Sequence, residues 1–267
     1  MPDTPSRTSA ATFVDRVQAD GRILFTTAEA TAAIGASENA VRAQLRRLVK
    51  RGHLAQPLRS HFVVVVPQYR SLGCPPADHF VDALMAALGE PYYVALLSAA
   101  ERHGAAHQRP QALQLMVRAN RPAIGCGGVR IEFNARADVE RMPTVRQNTQ
   151  TATLRLATAE LTALELVGYP SSAGGLSNAA TVIAELAGRL DHNKLDAAAR
   201  LSPVGWSQRL GHLLDANGHS EVAAVLLPYV AECPRNFIPL LRSSPLAGAV
   251  RDTKWRVLVN EAVEIDA

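Results

Sequence analysis

A chain of 267 residues that is 48% apolar and 19% charged has room for about two domains with substantial cores. That composition excludes a disordered or low-complexity protein. The net charge of +4 is unevenly held: residues 1–70 carry ten Lys and Arg against five Asp and Glu, and the remainder carries eighteen against nineteen. The basic excess therefore lies in the N-terminal part, the electrostatic footprint of a nucleic-acid-binding module joined to something with another task.

Residues 9–20 read as a first helix with Phe13, Val14 and Val17 inward, ended by Gly21. Arg22 to Thr26 is a short extended piece. Thr27 is placed to cap a second helix whose Ala28, Ala30, Ala32, Ala33 and Ile34 suit close packing, and Gly35 supplies a turn. Ser37 then caps a third helix running to about Arg51, before Gly52. On it Val41, Leu45 and Leu48 recur at i, i+4, i+7. Asn39, Ala43, Arg46 and Lys50 lie opposite that stripe, with Arg42 and Arg47 on the flanks. Leu54–Leu58 and His61–Val66 read as two strands joined near Arg59-Ser60.

This order is that of a winged helix-turn-helix. Arg pairs with guanine, Asn with adenine, and an Ala allows close approach to a thymine methyl. The expected DNA-contacting residues are Thr27, Ser37, Asn39, Arg42, Arg46, Arg47, Lys50, Arg59, Ser60 and His61. A basic helix is often merely a solvated face. Against that, Glu38 is the sole acid of residues 38–51, against four Arg and one Lys, so i,i+4 ion pairing is expected to be missing.

The winged helix is expected to span residues 1–70, with a linker at 71–77 in the proline-rich stretch PQYRSLGCPPA and a larger domain at 78–267. In that domain, helices are expected at Asp78–Gly89 and Tyr92–His103. Strands follow at Leu113–Ala119, Val129–Ala135 and Thr151–Ala157, and a helix capped by Thr158 carries Glu160 in its first turn. Helices are then expected at Ser177–Leu190, Leu195–Leu201, Gly205–Asn217 and Glu221–Ala231, and a terminal strand or hairpin at Lys254–Ile265. The class is α+β, a winged helix followed by a mixed domain with a central sheet surrounded by helices.

Catalytic constellations are sparse. Gly125, Gly127 and Gly128 lack the following Lys-Ser/Thr and helix of a phosphate loop and read as a β-turn. Glu101, His103 and His107 fall on different faces or beyond the Gly104 stop, which favours capping or packing. Asp191 reads as a helix N-cap, and Trp206 and Trp255 as packing residues. A nuclease or nucleotidyltransferase would need clustered carboxylates for a metal, and Glu132, Asp138 and Glu140 form no convincing set. Cys74, Cys126 and Cys233 are odd in number and far apart, against a disulfide framework or zinc site and for a reducing cytoplasm. MPDTPSRTSAATF does not read as a signal peptide, and no run is long enough to span a bilayer. No metal, cofactor or membrane association is expected.

PYYVALLSAAERHGAAHQRPQALQLMV (Pro91–Val117), LRLATAELTALELVGYPSSAGGLSNAATVIAEL (Leu154–Leu186), SQRLGHLLDANG (Ser207–Gly218) and KWRVLVNEAVEID (Lys254–Asp266) resemble, in order and spacing, the motifs of the AbiEi antitoxins of type IV toxin–antitoxin systems. The resemblance covers almost the whole chain, the N-terminal winged helix included. The family's frequent ATPE is Ala157-Thr158-Ala159-Glu160 here, a change that leaves a helix start intact. The resemblance implies a non-enzymatic, bipartite phage-defence protein. Its winged helix would bind inverted repeats in double-stranded DNA of its own promoter and repress the operon. Its C-terminal domain would neutralise a nucleotidyltransferase-like toxin, without requiring a stable complex. Arg102, Arg109, Arg118, Arg130 and Arg155 are the candidate antitoxin surface. The alternatives are a stand-alone winged-helix regulator whose C-terminal domain senses a ligand or oligomerises, and an enzymatic C-terminal domain.

Overall fold

The computed structural model describes residues 9–105, 110–149, 152–233 and 236–264. Two compact units divide the chain. The first takes Met1–Pro91, Val117–Ala135 and Gln147–Leu154, the second Tyr92–Met116, Arg136–Arg146 and Arg155–Ala267.

The first unit opens with α1 (Ala10–Ala19), capped by Ser9, then β1 (Leu24–Thr26), α2 (Thr27–Ile34) and α3 (Glu38–Lys50), capped by Ser37. Strands β2 (Leu54–Leu58) and β3 (His61–Val64) follow, and β3 pairs antiparallel with both β1 and β2. Thr26, not Thr27, is the N-cap of α2. It forms a reciprocal capping box with Glu29, which satisfies two orphan N–H groups at once. Thr27 is buried, and its N–H donates to the Ser60 carbonyl at 2.9 Å. The core is aromatic: Phe25 meets Phe13 edge-on at 5.1 Å and stacks on Phe62 at 5.7 Å. Val41 and Leu45 of α3 are fully buried against it, each contributing about 1.5–3 kcal/mol of transfer energy.

Residues 71–77, read as a linker, hold Cys74 and Pro75 buried and lead into α4 (Ala77–Ala87). The expected helix at Tyr92–His103 is instead a strand, β4 (Tyr92–Val94), and a shorter helix, α5 (Leu96–Arg102). Two adjacent aromatics and a β-branched residue favour extended backbone, which a periodicity that also fits a helix conceals. Next come β5 (Leu113–Val117), β6 (Ile124–Cys126) and β7 (Val129–Ala135). The glycine-rich connection is thus part of an antiparallel hairpin in the first unit, pairing Cys126 with Val129. Strand β8 (Thr144–Asn148) is unforeseen, because TVRQN carries no apolar alternation, and β9 (Thr153–Ala157) follows.

In the second unit β5, β4 and β9 lie side by side, with Val94 paired parallel to Leu156. Thr158 caps α6 (Ala159–Gly168), a helix buried on all sides that packs against α5, α7 (Leu176–Ala187), α8 (His192–Arg200) and α9 (Val204–Ala216). Asp191 caps α8 as expected. The single helix expected at Glu221–Ala231 is two, α10 (Ser220–Ala224) and α11 (Leu227–Glu232), because Pro228 starts the second. A small sheet closes the unit. In it β12 (Val257–Val259) lies between β10 (Ile238–Pro239), parallel to it, and β11 (Val250–Asp252), antiparallel. The expected C-terminal strand is therefore shorter, its hairpin partner preceding Lys254.

Candidate nucleic-acid interface

The cationic face of α3 follows from its amphipathic repeat. With Val41 and Leu45 inward, Asn39, Ala43, Arg46, Arg47 and Lys50 are exposed. One expectation fails here. Arg42 does form an i,i+4 ion pair with Glu38, at 2.5 Å. Among the described residues, Arg46, Arg47, Lys50 and Arg59 have no carboxylate partner. The uncompensated charge is therefore at the middle and end of the helix rather than along all of it.

The wing sits beside this face. Its loop, Arg59-Ser60, joins the paired Leu58 and His61. Ser60 adopts φ +68°, an unusual value for a residue other than glycine, and His61 Nδ1 lies 3.1 Å from the Arg59 carbonyl. Pro57 falls where the register shifts between Ala55 and Leu58, the kind of site where a strand tolerates proline. Thr27, Arg42, Arg46, Gln56, Arg59, Ser60 and Phe62 together line a cleft between α3 and the wing. The structure thus brings together Thr27, Arg42, Arg46, Arg59 and Ser60, while Asn39, Arg47 and Lys50 flank the cleft on the exposed helix. Ser37 is occupied in capping, 3.4 Å from the Ala40 N–H. Gln56 was not singled out from the sequence; its alternation in LAQPL marks it as outward, and only the fold shows what it faces.

The candidate antitoxin arginines do not share one environment. Arg118 and Arg130 belong to the first unit, and Arg130 pairs with Glu132 at 2.7 Å. Arg102 and Arg155 belong to the second unit and are half-buried. Arg109 and His107 lie outside the described residues. Asp138, weighed as a metal ligand, pairs instead with Arg136 at 2.8 Å. Among the described residues no three His, Cys, Asp or Glu side chains form a group that could hold a metal.

Sequence reasoning missed a buried polar cluster in the second unit. Tyr93 donates its hydroxyl to Glu165 Oε1 at 2.5 Å. Arg136 reaches the same oxygen at 3.5 Å, donates to the Leu201 carbonyl at 2.8 Å and to Ser202 Oγ at 3.3 Å, and lies over the Trp206 ring. Glu165 is fully buried, and its Oε2 has no hydrogen-bond partner among the described residues. Burial pushes its carboxyl up to about 7, although the Tyr93 hydroxyl and the Arg136 charge pull the other way. Tyr93 is fully buried and Arg136 nearly so, which places the cluster in the core of the second unit. The only sequence signal is an acid inside the apolar run LTALELV.

The family-like segments meet within this unit. Gln114 accepts from the Leu97 N–H at 3.0 Å and donates to the Ser172 carbonyl at 2.6 Å, and His103 Nε2 lies 2.8 Å from the Ala157 carbonyl. On α9, Gln208 donates to the Trp255 and Arg256 carbonyls, and buried Arg209 to those of Pro239 and Leu240. Asp215 accepts from the Trp255 indole at 2.6 Å, and His212 pairs with Asp252 at 2.7 Å. Most of these polar residues hold one segment to the next. No described helix is long and apolar enough to cross a membrane.

Residues 93–216 match a family model described as the AbiEi antitoxin C-terminal domain. No curated protein matches the chain. Among solved structures, the crystal structure of the RV2827C protein from Mycobacterium tuberculosis is similar, with a TM-score of 0.65 and 15% identity over 96% of this chain and 94% of that one. At that identity the likeness concerns the fold.

Proposed function

We propose that this chain, whose residues 93–216 match the AbiEi antitoxin C-terminal domain, is the DNA-binding antitoxin of a type IV toxin–antitoxin system. It represses its own operon through the winged helix and neutralises a nucleotidyltransferase-like toxin through the C-terminal domain. It works in the cytoplasm without catalysis of its own. The observation that carries the DNA-binding half is the cleft between α3 and the wing, with Arg46 and Arg59, which have no carboxylate partner among the described residues, on its two sides. An α-helix of this width fits a major groove, where Arg46 and Asn39 would read base edges. Arg59 at the wing and Lys50 at the helix end would take phosphates.

Anisotropy titration of the full chain with its own promoter DNA tests this reading. Tight binding that falls steeply with salt is expected. Affinity no better than for unrelated DNA would overturn it.

A further inference from the structure

The three cysteines look unrelated in sequence, but the fold of the first unit brings two of them together. Cys74 follows the wing in the chain, and Cys126 ends β6. Both are buried. The turn after Cys126 is built for close approach. Gly127 has φ +57°, and a Cβ there would stand 2.3 Å from the Leu72 carbonyl oxygen and 3.0 Å from the Cys74 nitrogen. The Gly128 N–H donates to that same Leu72 carbonyl at 2.8 Å. This backbone contact fixes Cys74 against Cys126, and the Cys74 thiol donates a hydrogen bond to the Cys126 sulfur. The Cys126 sulfur also accepts from the backbone N–H of Gln56, whose side chain lines the cleft between α3 and the wing.

From this geometry we infer that Cys74 and Cys126 are a thiol–disulfide site, and that its oxidation weakens DNA binding through Gln56. The second half rests on the DNA-binding reading given above. The two sulfurs are unlike in character. The hydrogen bonds from Cys74 and Gln56 hold the Cys126 thiol below its usual range, whereas the bond that Cys74 donates and its burial push the Cys74 thiol up. Cys126 is therefore the more readily ionised of the two and the attacking sulfur, and Cys74 is the resolving thiol. The pair lies just beneath the surface, under exposed Leu72, Gly73, Gly125 and Gln56, within reach of a small oxidant.

With hydrogen peroxide as the oxidant, the Cys126 thiolate attacks one oxygen and the O–O bond breaks. The departing hydroxide takes up the proton that Cys126 had released, giving water and a sulfenic acid on Cys126. The Cys74 sulfur then displaces the sulfenic hydroxyl, which leaves with the Cys74 proton as a second water. Two thiols lose two electrons in all, and one peroxide becomes two waters. Closing the S–S bond to about 2.05 Å draws the Cys126 sulfur toward Cys74, so the Gln56 N–H loses its partner beside the bulge at Ala55–Leu58. The bulge is where β2 is least held by ladder bonds, so the wing shifts relative to α3.

The test treats the full chain with hydrogen peroxide, then caps free thiols with a maleimide and maps peptides without reduction. A Cys74–Cys126 linked peptide, cleaved by dithiothreitol and unaffected by Cys233→Ser, is expected. Linkage to Cys233 instead, or no linkage with both thiols still capped, overturns the site. In parallel, oxidation should weaken binding to own-promoter DNA by about tenfold, the scale of one lost hydrogen bond, and dithiothreitol should restore it. A Cys74→Ala chain should bind as the reduced wild type does and form no disulfide, whereas Cys126→Ala, which itself removes the acceptor of the Gln56 N–H, should bind as weakly as the oxidised chain does. A linked peptide with unchanged affinity overturns the coupling through Gln56. If the reduced chain does not bind DNA at all, the DNA-binding reading fails, and the peptide map still decides the thiol site.

Discussion

Asn39 and Arg46 differ from Lys50 and Arg59 in what they would touch, and that difference is measurable. Asn39→Ala and Arg46→Ala should each cost about 1–3 kcal/mol at the cognate operator and relax its sequence preference, because they remove base contacts. Lys50→Ala and Arg59→Ala should weaken binding to all sequences alike and flatten the salt dependence, since phosphates carry no sequence information. Anisotropy titrations on operator and scrambled DNA at several salt concentrations separate the two classes. Equal losses on both DNAs for Arg46→Ala would remove α3 as the reader.

Glu165 makes a second prediction at this scale. Its native carboxyl stands near 7 against 4.5 for an ordinary one. Between those values the native state holds a proton that the unfolded chain has lost. The stability contributed is full below about pH 4.5 and is lost as pH rises through about 7, a swing of up to about 3 kcal/mol. Denaturant melts across that window should show wild type losing stability relative to Glu165→Gln as pH rises. A difference that stays constant with pH would mean that the carboxyl is ionised throughout.

Among the elements, α1, α2 and α3 were legible because each has a cap, an apolar stripe and a glycine or short turn at its end. The wing was legible from two short apolar runs. Strand β4 was not, because YYV flows into the apolar residues of α5 with no breaker between. Strand β8 was not, because its residues are mostly polar and half exposed. The Glu165 cluster was illegible for another reason: Tyr93, Arg136 and Glu165 are joined only by tertiary packing, and no spacing rule connects them. Packing also decides a third prediction. Gly211 lies on α9 where a Cβ would stand 2.2 Å from the fully buried Trp255 ring. Gly211→Ala gains helix propensity of about 1 kcal/mol. It must also displace an indole tied to Asp215, and overpacking costs about 1–3 kcal/mol or more. A net loss of stability is expected in thermal melts, where a gain would show that the α9 contact gives way freely.

For the molecule as a whole, the charge split proposed a winged-helix part ending at residue 70. A fragment of residues 1–70 keeps the Phe13, Phe25 and Phe62 core but lacks the Leu72–Gly128 hydrogen bond and the packing of β2 on β6. It should fold with lower stability than the full chain and bind DNA weakly, as judged by circular dichroism melts and anisotropy; an unfolded fragment would place the boundary further along the chain.

If the two tasks divide as proposed, DNA reading by α3 and toxin neutralisation by the C-terminal domain must separate. The most direct measurement is rescue of toxin-expressing cells by the full chain made from a foreign promoter, so that repression contributes nothing. The Asn39→Ala/Arg46→Ala chain, folded and as abundant as wild type, is predicted to rescue growth as well as wild type. Loss of rescue in that chain would mean that neutralisation runs through DNA binding and would contradict the division of labour.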